Sequence, residues 1–312
     1  MGDVTFTAQT RFENNMRLEL QQKTAKLGPS AIQRDVAGAE KTKLDNLIAN
    51  HVMRKKTERN GDVVHDTTGW DGVWVAAPDP DYLATLVDNE DKLLTRVDIQ
   101  GGEIMAHSAA YNRSRDAAWL TGFFGDMITG KQGTVLNAFP AGNVVPVTHD
   151  GAGGATPIGM RVAKLRRMRR IFAENFVDLD AVELYVGLTA AQVEELSEDA
   201  KAINKDYADA VKPVWSADGK KILSIAGFGI VELELGNPLF GDAADLTVDG
   251  NGYRKNPCWT SDGMVEAVWE NLFTSVDKLP TKHFSAQVYT RHQRVFSRTD
   301  QNRCGYILNL ES

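Results

Sequence analysis

At 312 residues with 42% apolar content, the chain can bury a core large enough for two modest domains or one large one. Lysine and arginine number 35 against 42 aspartates and glutamates, and the resulting net charge of −7 disfavours bulk binding to polyanions. Cys258 and Cys304 lack a CxxC partner or a nearby histidine pair, so neither a zinc site nor a disulfide framework is indicated, and buried free thiols are expected. The opening MGDVTFTAQT has no basic and apolar blocks of a signal peptide, and the longest apolar runs are too short and too glycine-broken to span a bilayer. A soluble protein of a reducing compartment is expected.

Residues 1 to about 32 carry one short helical pattern, with Phe12, Met16, Leu18, Leu20 and Leu27 set among charged residues, and Gly28, Pro29 and Ser30 stop it. A terminal helix with few partners in sequence needs a surface to dock on. From 41 to 77 the pattern becomes extended around Asn60-Gly61, a strong type I′ hairpin signal. Pairing outward from that turn sets Arg59 opposite Asp62 and Lys55 opposite Asp66, with Trp70 and Trp74 sharing a face. The ribbon is polar on both faces, from His51, Arg54, Lys55 and Lys56 to Asp66 and Thr67. It is expected to project from the body and to need a partner's support.

Pro78 and Pro80 end the hairpin, and DPDYLATLVDNEDKLLTRVD reads as a short helical pattern. A long amphipathic helix is expected from about Glu103 to Thr129, between the Gly101-Gly102 pair and Gly130. Its apolar stripe is Met105, Ala109, Ala117, Leu120, Phe124 and Met127 or Ile128, leaving His107, Arg113, Arg115, Asp116 and Asp126 outside. Residues 131 to 155 form a glycine-rich connection with a short apolar stretch at Val144 to Val147.

Thr156 before Pro157 predicts a helix to about Asn175 that buries Ile158, Val162, Leu165, Met168 and Phe172. A strand over Ala181 to Val186 leads to a helix opened by a Thr189–Gln192 capping box. Lys220 to Leu235 reads as two strands around Gly227 and Gly229, and the last fifth is mostly strand. Helices and strands interleave without a regular βαβ period, so the fold class is α+β.

Chemical motifs are weak. GDMITGKQG places Gly130 and Lys131 as a phosphate loop would, but Gln132 replaces the magnesium-holding hydroxyl and a helix leads into it. GAGGATPIG lacks the GxGxxG spacing and reads as a connector. The helix after it carries Arg161, Lys164, Arg166, Arg167, Arg169 and Arg170, a face for nucleic acid or for an acidic surface such as Glu194, Glu195, Glu198 and Asp199 of the same or another copy. The histidines are scattered, and Asp79, Asp81, Asp178 and Asp180 suit turns and caps. No catalytic, cofactor-binding or metal-ligating residue is assigned, and the chain is not expected to be an enzyme.

The order of these parts resembles the major capsid proteins of tailed bacteriophages, which share the Hong Kong 97-type capsid fold. The arm FENNMRLELQQKTAKL, the projecting hairpin, the linker DNEDKLLTRVD, the long helix and a second mixed domain follow that order. Within the second domain, LYVGLTAAQVEELSEDAKAINKDYADA followed by GKKILSIAGFGIVEL, and the closing QVYTRHQRVFSRTDQNRCGYIL, resemble the family's strands and helices. The resemblance implies an N-terminal arm at 1–32, an extended hairpin loop at 33–81 and a peripheral domain with its spine helix at 82–150. It further implies an axial domain at 151–279 and return strands at 280–312.

It also implies pentamers and hexamers that close into an icosahedral virion shell around double-stranded DNA, assembled in the bacterial host cytoplasm. No long helical segment precedes the arm, so a separate scaffolding protein is expected, with portal and decoration proteins as further partners, only weak non-specific DNA contact, and no membrane. Expected assembly contacts are Phe12, Met16 and Leu20 of the arm, Arg54, Lys55, Lys56, Arg59, Asp62, Asp66, Trp70 and Trp74 of the hairpin, and Arg166 and Arg170 of the basic helix. Some members cross-link their subunits; Lys55 and Lys56 are placed for it, but no matching motif accompanies them. The competing readings are an encapsulin-type compartment shell, a DNA-binding protein using the 161–170 helix, and a phosphate-binding enzyme using Lys131.

Overall fold

The computed structural model describes residues 23–48, 53–56, 59, 62–63, 65, 70–87, 99–202, 214–215, 222–233 and 248–311. The arm residues Phe12, Met16 and Leu20, the Asn60-Gly61 turn, Asp66 and the linker 88–98 lie outside them. Along the chain come β1 (Ile32–Asp35), β2 (Lys41–Ile48), β3 (Trp70–Ala76) and β4 (Asp81–Val87), then the long helix α1 (Ile99–Phe124). Next are β5 (Met127–Thr129), β6 (Val135–Asn137), β7 (Val144–Val145), α2 (Val162–Glu174), β8 (Leu184–Leu188) and α3 (Ala190–Ala202). The rest is strand: β9 (Val214–Trp215), β10 (Ile222–Ile225), β11 (Phe228–Glu232), β12 (Tyr253–Thr260), β13 (Met264–Leu279), β14 (Ser285–Arg298) and β15 (Cys304–Leu310).

The chain divides into two compact units, one taking Asp79–Arg113 and Glu270–Gln293, the other Ala25–Pro78, Ser114–Trp269 and Arg294–Ser312. In the first unit β4 runs antiparallel to β14, with Ala286 opposite Val87 and His292 opposite Asp81. The helical pattern expected after Pro80 is therefore a strand at its start. Tyr82 and Leu86 are exposed while Val87 is buried, an edge-strand pattern that DYLATLV also writes at helical spacing. His107 ties α1 to both strands, its ring nitrogens lying 2.7 Å from the Thr85 hydroxyl and 2.9 Å from that of Thr290. Burial holds its pKa below the ordinary value against the nearby Glu103 charge.

The second unit is built on a seven-stranded sheet in the order β7-β15-β12-β8-β11-β10-β9. α2 and α3 share a core with it through Leu165, Met168, Phe172, Leu196, Val186 and Phe228. The two strands expected around Gly227 and Gly229 are present, but β10 and β11 turn at Ala226-Gly227, both at positive φ, and Gly229 lies within β11, opposite Ser224. α3 opens with the expected capping box: the Thr189 amide donates to Gln192 Oε1 at 3.1 Å and the Gln192 amide to Thr189 Oγ1 at 3.4 Å.

α2 starts five residues later than expected. The Thr156-Pro157 signal is overridden because its cap comes from α3, where the Asp199 carboxylate accepts the Val162 amide at 2.9 Å. Lys164, charged but fully buried, donates to the carbonyls of Ile158 and Leu308 and to Asn309 Oδ1 at 2.8–2.9 Å, and desolvation lowers its pKa to about 8.

α1 spans 26 residues, about 39 Å at 1.5 Å per residue. It lies earlier than expected: Gly101 and Gly102 are inside it, it stops at Gly125, and Met127 and Ile128 belong to β5. The expected stripe also needs correction, because His107, Arg113 and Asp116 are buried along with Trp119, Leu120 and Phe123, while Met105 is exposed. The C-terminal carbonyls of Phe123 and Gly125 accept from Arg298, a fully buried cation placed where the helix dipole favours positive charge.

At Gly122 the helix touches β14 so closely that a Cβ would stand 2.3 Å from the Phe296 carbonyl oxygen. Alanine there gains about 1 kcal/mol of helix propensity, but overpacking against backbone costs about 1–3 kcal/mol or more. Gly122→Ala is therefore expected to lower the unfolding midpoint, and an unchanged or raised midpoint in a thermal melt would contradict this packing.

Candidate assembly surfaces

The segment that leads out of the arm is fastened chiefly by Asp116. Asp116, fully buried on α1, accepts the backbone amides of Lys26, Leu27 and Gly28 at 2.8, 2.9 and 3.1 Å. Leu27 drops into a core of Trp119, Leu120, Phe123, Trp259 and Phe296. Gly28 lies against Arg115, whose Nε a Cβ would approach to 2.6 Å. Arg115 in turn holds Glu266 through two hydrogen bonds of 3.1 and 2.5 Å, and Arg294 reaches the same carboxylate at 2.5 Å. The chain then continues as β1, parallel to β13 with Ile32 opposite Val265.

The hairpin base is anchored as well. β2, β3, β5 and β6 form a four-stranded sheet in that order, and Val73 and Val75 are buried, so this part of the ribbon contributes to a core. That corrects the expectation of a ribbon without a core face. The register differs too. A ladder centred on Asn60-Gly61 would set Ile48 opposite Val73, whereas Ile48 faces Trp70, and an irregularity between Lys43 and Asp45 shifts the ladder by a further residue toward its base. The proposed Arg59–Asp62 and Lys55–Asp66 pairs fall outside the described strands.

Trp74 donates its indole N–H to the Gly130 carbonyl at 2.7 Å, and Lys41 reaches the Gly133 carbonyl at 2.5 Å. The GDMITGKQG segment is thus a β5–β6 hairpin that seats Trp74, and Gly133, at φ +62°, leaves the room a Cβ would take 2.6 Å from that ring. Arg54, Lys55, Lys56, Arg59 and Asp62 are exposed, as are Met53 and Val63. Trp74 is half-buried, and Trp70 lies in β3.

On α2, Arg166 and Arg170 are exposed and Arg170 pairs with Glu174 at 2.6 Å on the same helix. The glycine-rich loop before α2 is closed by its own acid. The Asp150 carboxylate accepts the amides of Ala152, Gly153 and Gly154, which keeps its pKa below the usual range and takes the donors a phosphate would need.

Sequence reasoning missed a further surface. In the first unit Tyr82, Leu83 and Leu86 of the edge strand β4, and Leu272, Phe273 and Phe284, are all exposed. An apolar edge strand is a template for pairing with another chain. DYLATLV supplies the apolar side chains of this edge, but without a period-two alternation it was read as helix.

Among the described residues no cluster of histidine, cysteine, aspartate and glutamate is arranged to hold a metal ion, and no helix is long and apolar enough to cross a membrane. Both thiols are free and fully buried, and burial pushes the Cys304 pKa up to about 12. The Tyr185 phenol, raised to about 12 by its hydrogen bond to Glu183, lines a cleft of about 400 Å³ with Arg169, Ser224 and Gly227.

A phage capsid protein family matches residues 4–311. Bacteriophage PhiM1 mature capsid is similar in structure at 13% identity and TM-score 0.68, over 97% of this chain and 92% of that one. The capsid of Ralstonia phage GP4 is similar at 12% identity and TM-score 0.65, over 100% and 98%. The SrpI encapsulin of Synechococcus elongatus is similar at 11% identity and TM-score 0.60, over 97% and 94%. No curated sequence matches the chain. The α+β fold is the Hong Kong 97-type capsid fold.

Proposed function

The chain belongs to the phage capsid protein family, and on that premise we propose that its copies close as pentamers and hexamers into the icosahedral head of a tailed phage. It is a major capsid protein whose role is structural and whose place is the virion capsid. The observation that carries the assembly reading is the hairpin. Its base is locked into a sheet by Trp74 and Lys41, while Met53, Arg54, Lys55, Lys56, Arg59, Asp62 and Val63 all face solvent. A firmly held ribbon with an uncovered end suits a clamp on a neighbouring copy, where many weak contacts add through copy number.

In this reading residues 1–32 are an arm, 33–81 the clamp, 82–150 a peripheral domain on the spine helix, 151–279 an axial domain and 280–312 the returning strands. Phe12, Met16 and Leu20 serve the arm's contact, and Asp66, Trp70 and Trp74 join the exposed hairpin charges in the clamp. Assembly takes place in the host cytoplasm with a separate scaffolding protein and a portal, around double-stranded DNA held weakly because the chain is net negative.

Deleting residues 55–66 is expected to leave a folded, soluble subunit that forms no shells, read by negative-stain microscopy beside the full chain. Normal particles from the deletion would remove the clamp. The likeness to an encapsulin favours a second reading, a compartment around protein cargo; DNA inside purified particles decides for the phage head.

A further inference from the structure

α2 turns Arg166, Arg169 and Arg170 to solvent, and α3 turns Glu194 and Glu198 to solvent. Inside one chain the two helices exchange charge at the N-terminal end of α2. There Asp199 accepts the Val162 amide and lies 3.5 Å from Arg161, and Glu195 accepts the Met160 amide at 2.7 Å. Arg166 and Arg170 stand further along the helix, about 6 and 12 Å beyond Val162 at 1.5 Å per residue. Among the described residues Arg166, Arg169, Glu194 and Glu198 form no ion pair, and Arg170 shares only the exposed Glu174 of its own turn.

Resting on the capsid reading, we propose that the Arg166–Arg170 face of one copy docks on the Glu194–Glu198 face of the next. Both pairs are four residues apart, so each presents two charges one helical turn apart, and the two faces match in spacing as well as sign. Just beyond α2, Phe176 is 92% exposed at φ +60° and adds apolar area that an exposed charge pair lacks. In a ring each copy gives its arginine face to one neighbour and its acidic face to the other, so the contact proposed is heterologous and repeats head to tail. Nucleic acid is the weaker candidate, because the acidic face lies on the neighbouring helix and the chain carries a net charge of −7.

The test is a charge exchange in the full chain. Arg166→Glu with Arg170→Glu is expected to cut shell yield at least ~10-fold, because a small loss per contact multiplies over the copies. Adding Glu194→Arg and Glu198→Arg should restore yield to within about 3-fold, the coupling expected of residues that touch. Circular dichroism and a thermal melt confirm that each variant folds, and the milder Arg166→Gln with Arg170→Gln serves if the reversal does not. Shell formation undisturbed by either arginine change, or a folded four-fold variant that fails to assemble, overturns the contact. So do normal shells that have lost only their DNA. Absence of shells from the unaltered chain would instead count against the capsid assembly reading itself.

Discussion

Replacing Glu266 by alanine is expected to destabilise the folded subunit by about 3–5 kcal/mol, because it removes the buried carboxylate that two largely buried guanidinium groups share. The Glu266 side chain is fully buried, Arg294 is 2% exposed, and Arg115 is 20% exposed. All three lie within one compact unit, where the carboxylate takes two hydrogen bonds from Arg115, which also reaches the Gly28 carbonyl at 3.4 Å, and one from Arg294. An ion network of this kind adds little over a well-packed apolar substitute, yet removing one member costs the full desolvation of the others. The expected fall in the unfolding midpoint is roughly 10 °C. Glu266→Gln, which keeps the shape and one acceptor, should lose less, and joint replacement by Met, Leu and Met at 115, 266 and 294 should recover much of the loss. A single alanine variant within 1 kcal/mol of the parent, on the scale of surface changes, would show that the network is dispensable.

Asp116→Ala is the second large effect. Three backbone donors lose their acceptor, and each buried donor left unsatisfied costs about 1–3 kcal/mol. Leu27 and Gly28 are buried while Lys26 is partly open to water, so the sum is expected near 3–5 kcal/mol and not at the top of the range. Asn at this position retains one oxygen, the atom that takes two of the three amides, and should fall between alanine and the parent. Limited proteolysis provides the local readout. Cleavage within Lys23–Ser30 should accelerate well before global unfolding, and particle yield should fall with it. Unchanged protection of that stretch in Asp116→Ala would mean that Leu27 burial alone secures it.

What the sequence made legible was local. The Thr189–Gln192 box is decided by side chains and backbone within a few residues and was placed correctly, and the two strands around Gly227 were legible although the turn is Ala226-Gly227 and Gly229 belongs to β11. The start of α2 was misplaced because its cap is Asp199, 37 residues away, and no local pattern shows a distant carboxylate. The same holds for Asp116, read as a solvent-facing polar residue although its partners lie 88–90 positions earlier. α1 ends where Arg298 donates to the carbonyls of Phe123 and Gly125, contacts across 175 and 173 residues that no local pattern shows, and the apolar Met127 and Ile128 pass into β5. The hairpin's existence was legible and its register was not: the ladder already stands three positions off at Ile48, and an irregularity near Lys43 moves it by one more without leaving a mark in the hydrophobic pattern. Of the expected assembly residues, the charged ones among the described residues lie at the surface, whereas the apolar edge of β4 was missed because DYLATLV was read as helix.

Cys258 and Cys304 lie on adjoining strands, wholly enclosed, with burial raising both thiols far above neutral pH. Neither supplies thiolate to a maleimide or an oxidant while the sheet is intact. The native particle is thus chemically silent toward thiol reagents, and a single cysteine grafted onto the outside becomes a unique handle, repeated at one defined spot on every copy for dyes, cargo or cross-linkers.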